Sequence, residues 1–445
     1  MRTLTEQAAA VASREVSPIE LVQRSLRSIE TTQPTLNAFT FIRDAEALAE
    51  AKELEGADAL GPLHGVPIAI KDLYDVAGLP TTGCCAAYLD RTAAEDSPVV
   101  AKLRGAGAIV VGKTNMHELA FGATTQVSCF GGTRNPWDTS RIPAGSSGGS
   151  GAAVAAGVVA MAMGSDTGGS IRLPAAMCGV TGLKPTHGAV SLRGALPMTA
   201  SFDTGGPLAV SAADCAVVHE IIAGFDARYL YSRTSLPVRT KPRSATRIGI
   251  ARDWLAHAEQ EVATSVEEAA KALERSGYRL LDTSGPDLLG TRNDVAAVLT
   301  GEFAHHFRDL WQDDRVSEPI RTLMDVGRQI SAPDYAAARE AAERMRLAFL
   351  GCFDEVDVIL APGAPYPAPR IDDVDNLTEA IRSTIFTLPV NAAGLPAVAF
   401  PTGSSGGLPV GAQLIGPAWS ELRLCSVVDA FQAETDWHLR RPQIS

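Results

Sequence analysis

The sequence predicts an α/β fold in which helices cover a parallel or mixed β-sheet. Short β-rich runs alternate with helical stretches along most of the chain, a pattern that places the strands in one sheet and the helices on its faces. Hydrophobic residues make up 46% of the 445 residues, which is enough for a large buried core. No internal repeat or low-complexity tract interrupts the pattern. The length alone would fit two or three domains, but α/β enzymes of this size often form one compact unit.

The first part of the chain predicts two helices within 4–55. Ser17, Pro18 and Glu20 mark a helix start, because a capping serine is followed by proline at the first helical position and glutamate at the third. The apolar run at 152–163 is too short to span a bilayer and predicts a buried core helix. Further expected elements are strands at 67–70, 108–111 and 159–163, and helices at 97–105 and after Gly149.

The second part predicts a return to sheet after a helical region. Residues 233–243 are rich in Pro, Ser and Arg and look like a surface connection, whereas 291–350 read mostly as charged, amphipathic helix. The other expected elements are strands at 247–251, 278–282, 356–361, 397–401 and 410–415, and helices at 259–275 and 421–435.

Charge and cysteine content predict a cytoplasmic protein that binds neither nucleic acid nor membranes. The net charge is −12 and the longest relevant basic run is Arg440–Arg441, so no patch for phosphate is expected. The polar N-terminus has no signal-peptide pattern. Seven cysteines without a CxxC pair favour reduced thiols and offer no zinc site; Cys84 and Cys85 are adjacent.

Two short motifs match patterns of other enzymes and are rejected on local grounds. Residues 107–114 match the phosphate-binding P-loop pattern, but the intervening Ala-Ile-Val-Val is expected to be a strand rather than a flexible turn. Residues 145–149 match GxSxG, but Pro143 and its neighbours do not form the strand that a nucleophile elbow needs. No partner histidine for a triad is evident.

Two glycine–serine clusters and one lysine carry the chemistry. Lys71 ends an apolar run, so burial would lower its pKa and make it a usable base near neutral pH. The clusters at 145–151 and 164–172 contain serines, which need such a base to act as nucleophiles. Glycines in such a setting can aim several backbone N–H groups at an oxyanion. Together these features indicate acyl transfer on an amide-like bond.

These motifs resemble the amidase signature family of serine hydrolases across nearly the whole chain, with the weakest match at 234–351. The matching segments are 63–72, 107–115, 135–137, 144–151, 164–174, 182–186, 388–397 and 407–411. The resemblance implies the amidase-signature fold, an α/β architecture with a large twisted mixed sheet between helical layers. It also implies one domain over 1–445, made of N-terminal helices at 1–60, a signature core at 61–230, a mostly helical cover at 234–351, and a C-terminal sheet and helix at 352–445. The helices at 291–350 are expected to form part of the entrance to the site.

The resemblance implies a Ser–Ser–Lys triad without metal or cofactor. Ser170 would be the acylated nucleophile, Ser146 the bridging serine after a cis peptide bond, and Lys71 the base. Asp166 and Arg172 are expected to brace the loop rather than react. The backbone N–H groups expected to hold the oxyanion are those of Thr167, Gly168, Gly169 and Ser170.

Departures from the family pattern bear on the substrate. Leu173 stands where some members carry a polar or carboxylate-binding residue, which suggests a neutral or apolar substrate group, and small Ala120 could widen the channel. We therefore expect a stand-alone monomer or homodimer that hydrolyses neutral aryl or alkyl amides, extending to carbamates (urethanes), anilides or esters. The alternative is the glutaminase component of a tRNA-dependent amidotransferase, its A subunit, which Leu173 and the stretch 187–192 fit less well.

Overall fold

A computed structural model describes residues 2–234 and 246–444 of the chain. In these two ranges eleven strands form one sheet, in the order β1-β3-β2-β4-β6-β5-β10-β11-β9-β7-β8. The strands are β1 Phe39–Ile42, β2 Pro67–Lys71, β3 Ile109–Thr114, β4 Met161–Asp166, β5 Thr181–Lys184, β6 Thr204–Ala209, β7 Arg247–Ala251, β8 Arg279–Thr283, β9 Val358–Pro362, β10 Ala397–Ser405 and β11 Leu408–Ile415.

The sheet is mixed, as predicted. Strand β2 runs parallel to β3 and β4, and β7 runs parallel to β8 and β9, while the strands between these groups pair antiparallel. Carboxyl ends of parallel neighbours meet at one edge of a sheet, which is where α/β proteins commonly bind ligands. Ile70 of β2 pairs with Met163 of β4, so Lys71 lies beside the start of the second glycine–serine cluster.

Helices cover the sheet. They are α1 Leu4–Ala12, α2 Pro18–Leu36, α3 Asp44–Leu54, α4 Pro98–Gly105, α5 Gly148–Ala155, α6 Arg172–Cys178, α7 Ala212–Ile222, α8 Arg252–Leu255, α9 Gln260–Arg275, α10 Leu288–His306, α11 Glu318–Arg328, α12 Ala332–Glu355, α13 Asn376–Ser383, α14 Leu388–Ala392 and α15 Glu421–Glu434. The predicted start of α2 is confirmed, since Ser17 and Glu20 form a complete capping box.

Several predictions about individual elements were wrong or incomplete. The run 152–163 is buried, but it is not one helix: α5 ends at Ala155 and β4 begins at Met161. Strands β1, β5 and β6 were missed; β6 carries two glycines and Pro207, residues that weaken a strand pattern. The surface connection predicted for 233–243 lies largely outside the described residues.

The rejected P-loop pattern is a strand, as predicted. Ile109–Thr114 is β3, and every residue in it is buried. Lys113 Nζ pairs with Asp72 Oδ1 at 2.9 Å and donates to the Pro80 carbonyl oxygen at 3.0 Å, so protein groups already occupy it. In the ranges 2–234 and 246–444, no helix is both long and apolar enough to cross a membrane.

Candidate active site

Lys71 sits at the carboxyl end of β2 and is fully buried. Its Nζ contacts three serine hydroxyls, Ser146 and Ser147 at 2.8 Å and Ser165 at 2.9 Å. Burial lowers the pKa of Lys71 to about 7, although Asp166 and other acidic groups work in the opposite direction. A neutral amine is therefore accessible at physiological pH, which is the property that a base requires.

The contacts with the serine hydroxyls determine which hydroxyl accepts a hydrogen from the Lys71 amine and which can donate one to it. Ser147 Oγ donates to the carbonyl oxygen of Ser165 at 3.2 Å, so it must accept a hydrogen from Lys71. A neutral amine has two N–H groups and one lone pair. The other N–H group and the lone pair of the neutral amine are left for the two remaining contacts, with Ser146 and Ser165. When the lone pair faces Ser146, the Ser146 hydroxyl can donate its proton to Lys71.

Ser146 lies in the turn that leads into α5. The peptide bond between Gly145 and Ser146 is cis. The Ser146 carbonyl oxygen accepts from the backbone N–H of His117 at 3.0 Å, and its side chain is fully buried. These contacts hold the Ser146 hydroxyl against Lys71.

The loop between β4 and α6 is braced by a buried ion pair, as predicted. Arg172 Nη2 lies 3.0 Å from Asp166 Oδ1, and both side chains are fully buried. Asn391 adds a hydrogen bond from Nδ2 to Asp166 Oδ1 at 2.9 Å. Burial alone would raise the pKa of Asp166, but Arg172 outweighs it and the pKa falls to about 2. The carboxylate therefore stays ionised and holds the loop.

The braced loop leaves three N–H groups without an acceptor among the described residues. The Gly168 carbonyl oxygen accepts from Thr387 Oγ1 at 2.5 Å, and that of Gly169 accepts from Leu173 N at 2.7 Å. Within the described residues, the N–H groups of Gly168, Gly169 and Ser170 have no acceptor. Ser170 Oγ likewise has no hydrogen-bond partner there, and the residue keeps 8% of its surface exposed. The loop can offer donors to a developing oxyanion.

A cavity of about 110 Å³ adjoins this loop. Ser165 and Thr167 line it on the side of this loop, next to Asp203, which accepts from Thr167 Oγ1 at 2.5 Å. The remaining lining is mostly apolar and consists of Leu73, Ala120, Leu192, Ala195, Leu196, Pro197, Met198, Ala200, Tyr229, Leu230 and Tyr231.

The structure brings the predicted site residues into one region, but only two of them line the cavity. Ser146 Oγ lies 2.8 Å from Lys71 Nζ, and the neighbouring Ser147 N donates to the Ser170 carbonyl oxygen at 3.2 Å. Thr167 and Ala120 line the cavity. Leu173 does not reach the cavity: it is fully buried in a cluster with Ala123 and Met177. The structure therefore removes Leu173 as a guide to the substrate. Cys84 and Cys85 are both fully buried.

Sequence reasoning missed several residues of the site. Ser147 and Ser165 both contact Lys71, and their place inside the two serine-rich clusters was an available signal. Asp203 and Tyr229 had no such signal, because they lie far along the chain and only the fold carries them to the cavity. The helices at 291–350 were expected at the entrance, but none of their described residues lines this cavity.

Comparisons with known proteins match residues 20–425 to the family described as Amidase. The A subunit of the glutamyl-tRNA(Gln) amidotransferase from Chromohalobacter salexigens is 38% identical, covering 99% of this chain and 98% of that protein. Among solved structures, the corresponding protein of the same name from Thermotoga maritima has a TM-score of 0.86 at 32% identity, covering 100% of this chain and 98% of that one. The native peptide amidase of Stenotrophomonas maltophilia has a TM-score of 0.89 at 30% identity, with the same coverage.

These similarities correct two expectations. A stand-alone enzyme for neutral aryl or alkyl amides and carbamates is the wrong prediction, because relatives that match from end to end are named as amidotransferase subunits. The prediction of a monomer or homodimer that meets only small molecules and no nucleic acid is wrong for the same reason, since those names specify a tRNA and one subunit of an enzyme. The burial of Leu173 also removes the argument that had favoured a neutral substrate.

Proposed function

The chain belongs to the amidase family, whose members act on amide C–N bonds, and on that basis we propose that it is the glutamine-hydrolysing component, the A subunit, of a tRNA-dependent amidotransferase. The observation that carries this proposal is similarity over the full length of both chains, at 36–38% identity, to proteins named as that component. A shared fold alone would not carry it, because one fold supports several chemistries.

In the proposed reaction, Ser170 Oγ attacks the side-chain carboxamide carbon of glutamine. The Ser170 proton passes to Ser146 while the Ser146 proton passes to neutral Lys71, and the 2.8 Å contact between Lys71 Nζ and Ser146 Oγ supports the second of these transfers. The C–O bond forms, and the free N–H groups of the 168–170 loop stabilise the oxyanion.

The same groups complete the cycle. The relay returns the proton to the departing nitrogen, the C–N bond breaks and ammonia leaves, because an amide anion would be a poor leaving group. Water then attacks the acyl-enzyme with Lys71 again accepting a proton through Ser146, which releases glutamate. No net proton is gained or lost by the enzyme over the cycle.

The test compares the chain alone with the chain co-purified with the other subunits of an amidotransferase. We expect the complex to release glutamate and ammonia from glutamine and to convert Glu-tRNA(Gln) to Gln-tRNA(Gln). Ser170→Ala should lower both rates by about 10³-fold or more, as loss of an acylated nucleophile does.

Ser128→Ala is the matched control, since Ser128 Oγ donates to Asn115 Oδ1 and contacts no triad residue. Its rates should stay near those of the wild type. Failure of the assembled complex to hydrolyse glutamine, with Ser170 intact, would overturn the proposed substrate.

A further inference from the structure

One wall of the cavity is a short segment, residues 226–233, which we call the strap. Tyr229, Leu230 and Tyr231 of the strap all line the cavity. Leu230 nevertheless keeps 88% of its surface exposed. A residue that both lines a cavity and faces solvent lies at its opening, so the strap forms part of the mouth.

Asp226 organises the strap through its carboxylate and its backbone. Its side chain accepts from Ser191 Oγ at 2.7 Å, from Arg193 Nε at 3.2 Å and from the backbone N–H of Arg228 at 2.9 Å. Its own N–H donates to Ser232 Oγ at 2.9 Å, and its carbonyl oxygen accepts from Tyr229 N at 3.0 Å. One residue thus closes the turn that carries the cavity-lining side chains and ties it to the 191–193 segment.

The strap is also seated on Gly188. Arg233 N donates to the Gly188 carbonyl oxygen at 3.0 Å, and the Tyr231 ring meets His187 edge-on at 5.5 Å between centroids. Gly188 has φ +83°, and a Cβ there would lie 2.2 Å from the Tyr231 carbonyl oxygen. The close approach therefore requires glycine, and it fixes the Tyr231 backbone against the cavity wall.

The strap supplies polar groups to an otherwise apolar wall. Within the described residues the hydroxyls of Tyr229 and Tyr231 form no hydrogen bond. Burial, and then Asp203, raise the pKa of Tyr229, so its hydroxyl stays protonated and able to donate. Sites of this kind fix a ligand by shape and by a few placed polar groups.

We propose that the strap is the specificity-determining element of this site: Tyr229 and Tyr231 limit the size of the acyl group, and Asp226 positions them. The inference rests on the proposed function only in taking Ser170 as the nucleophile of this cavity. It does not depend on glutamine as the substrate.

The test uses alkanesulfonyl fluorides, which label a reactive serine without turnover of any amide. Ser170 Oγ forms a bond to sulfur, the S–F bond breaks, fluoride leaves, and the serine proton passes through Ser146 to Lys71. The alkyl group takes the place of the acyl group. The measured quantity is the ratio of labelling rates for hexanesulfonyl and methanesulfonyl fluoride, followed by intact-protein mass spectrometry.

We expect Tyr231→Ala and Asp226→Ala each to raise this ratio about tenfold, which is the scale of discrimination that a few methylenes provide in a pocket. Ser170→Ala should not be labelled by either reagent. The matched controls are Tyr278→Ala, outside the cavity, and Asp138→Ala. Asp138 accepts from Ser140 Oγ at 2.6 Å and Arg141 Nε at 3.0 Å, a pattern like that of Asp226, in a different loop.

An unchanged ratio in Tyr231→Ala and Asp226→Ala would overturn the inference, and so would an equal loss of labelling by both reagents, which indicates structural damage. Labelling that persists in Ser170→Ala, or is absent in the wild type, would overturn it as well. A shifted ratio together with failure of the assembled complex to hydrolyse glutamine would support the strap as the specificity-determining element and reject glutamine as the substrate.

Discussion

Lys71 and Lys113 lie near the ends of neighbouring strands and are both fully buried, yet their surroundings differ. Lys113 Nζ has Asp72 at 2.9 Å, an ion pair that keeps its charge compensated. Lys71 Nζ has three serine hydroxyls as hydrogen-bond partners. The identity of the nearest partner therefore decides which lysine is structural and which can serve as a base.

The proposed base predicts a pH profile. Because the pKa of Lys71 is about 7 and the reactive form is neutral, kcat/KM should fall about tenfold for each pH unit below 7 and level off above it. Lys71→Ala should lose about 10²–10⁴-fold in kcat/KM at pH 8. The measurement is glutamine hydrolysis by the assembled complex from about pH 5.5 to about pH 9, a range that spans the expected midpoint.

Lys184 provides the control for that profile. Burial also lowers its pKa to about 7, but its Nζ donates to the Pro185 carbonyl oxygen rather than to a serine. Lys184→Met should keep the midpoint of the pH profile in place. A pH midpoint that shifts in Lys184→Met and stays in place in Lys71→Ala would contradict the assignment of Lys71 as the base.

Gly169 and Gly168 form a matched pair in the catalytic loop. Gly169 has φ +136°, and a Cβ there would lie 2.3 Å from Thr387 Oγ1, whereas a Cβ at Gly168 meets only side-chain carbons at 3.6 Å and beyond. Gly169→Ala should therefore displace the N–H groups and lower kcat/KM about 10²-fold, the cost of a misplacement of about 1 Å. Gly168→Ala should change kcat/KM by less than about fivefold. Equal losses in the two variants would show that sterics at Gly169 do not set the loop geometry.

At the level of elements, the site depends on how β2 and β4 lie side by side. Their parallel pairing brings Lys71 against Ser165, and the turn before α5 adds Ser146 and Ser147 from the other side. Helix α6 then begins within the braced loop, so its first residue, Arg172, can pair with Asp166. Two strand ends and the start of α5 thus meet at one amine, and the start of α6 braces the loop beside it.

Helix α10 supports the cavity wall without lining it. Glu302 on this helix accepts from Ser201 through both the backbone N–H and the hydroxyl, and from Tyr335 Oη of α12 at 2.7 Å. The neighbouring Ala200 and Asp203 line the cavity. The helical cover also holds this wall through Thr199 Oγ1, which donates to the Leu299 carbonyl oxygen of α10 at 3.1 Å.

Glu302→Ala should lower the free energy of unfolding by about 1–3 kcal/mol, because several hydrogen bonds to a charged group are lost. It should also raise KM more than it lowers kcat, since the wall and not the triad is disturbed. Urea unfolding and steady-state kinetics measure the two effects. Glu340→Ala is the control, because Glu340 is largely exposed and its variant should stay within about 0.5 kcal/mol of the wild type. A stability loss without any change in KM would remove Glu302 from the support of the wall.

The whole molecule is organised around one sheet that joins the two ends of the chain. Strand β1 lies at one edge of the sheet, and β10 and β11 lie near its middle. The N-terminal helix α1 is tied to α7 by Asp214, which accepts from the N–H groups of Leu4 and Thr5. We propose that all of these parts form a single domain.

A single domain predicts one cooperative thermal transition. Calorimetry should give a ratio of calorimetric to van't Hoff enthalpy near one, as two-state unfolding requires. Two resolved transitions, with the 246–355 region melting apart from the rest, would contradict the proposal.

The family resemblance assigned Ser146 and Ser170 within the two serine clusters, whereas the residues alone predicted the α/β class, most strand and helix positions, the capped start of α2 and Lys71 as a buried base. These features depend on local periodicity, on caps, and on motifs whose residues are close in the chain. Strands rich in glycine and proline, such as β6, escaped prediction because their pairing comes from neighbouring strands and not from their own propensity.

Only the tertiary structure decided what surrounds the triad. Leu173 looked like a substrate contact from its place after the loop, but the first turn of α6 rotates it into the core. Asp203, Tyr229 and Tyr231 reach the cavity from 33 to 61 residues beyond Ser170, so no local pattern could assign them. Burial is likewise a property of the assembled fold, and it is burial that lowers the pKa of Lys71 to about 7.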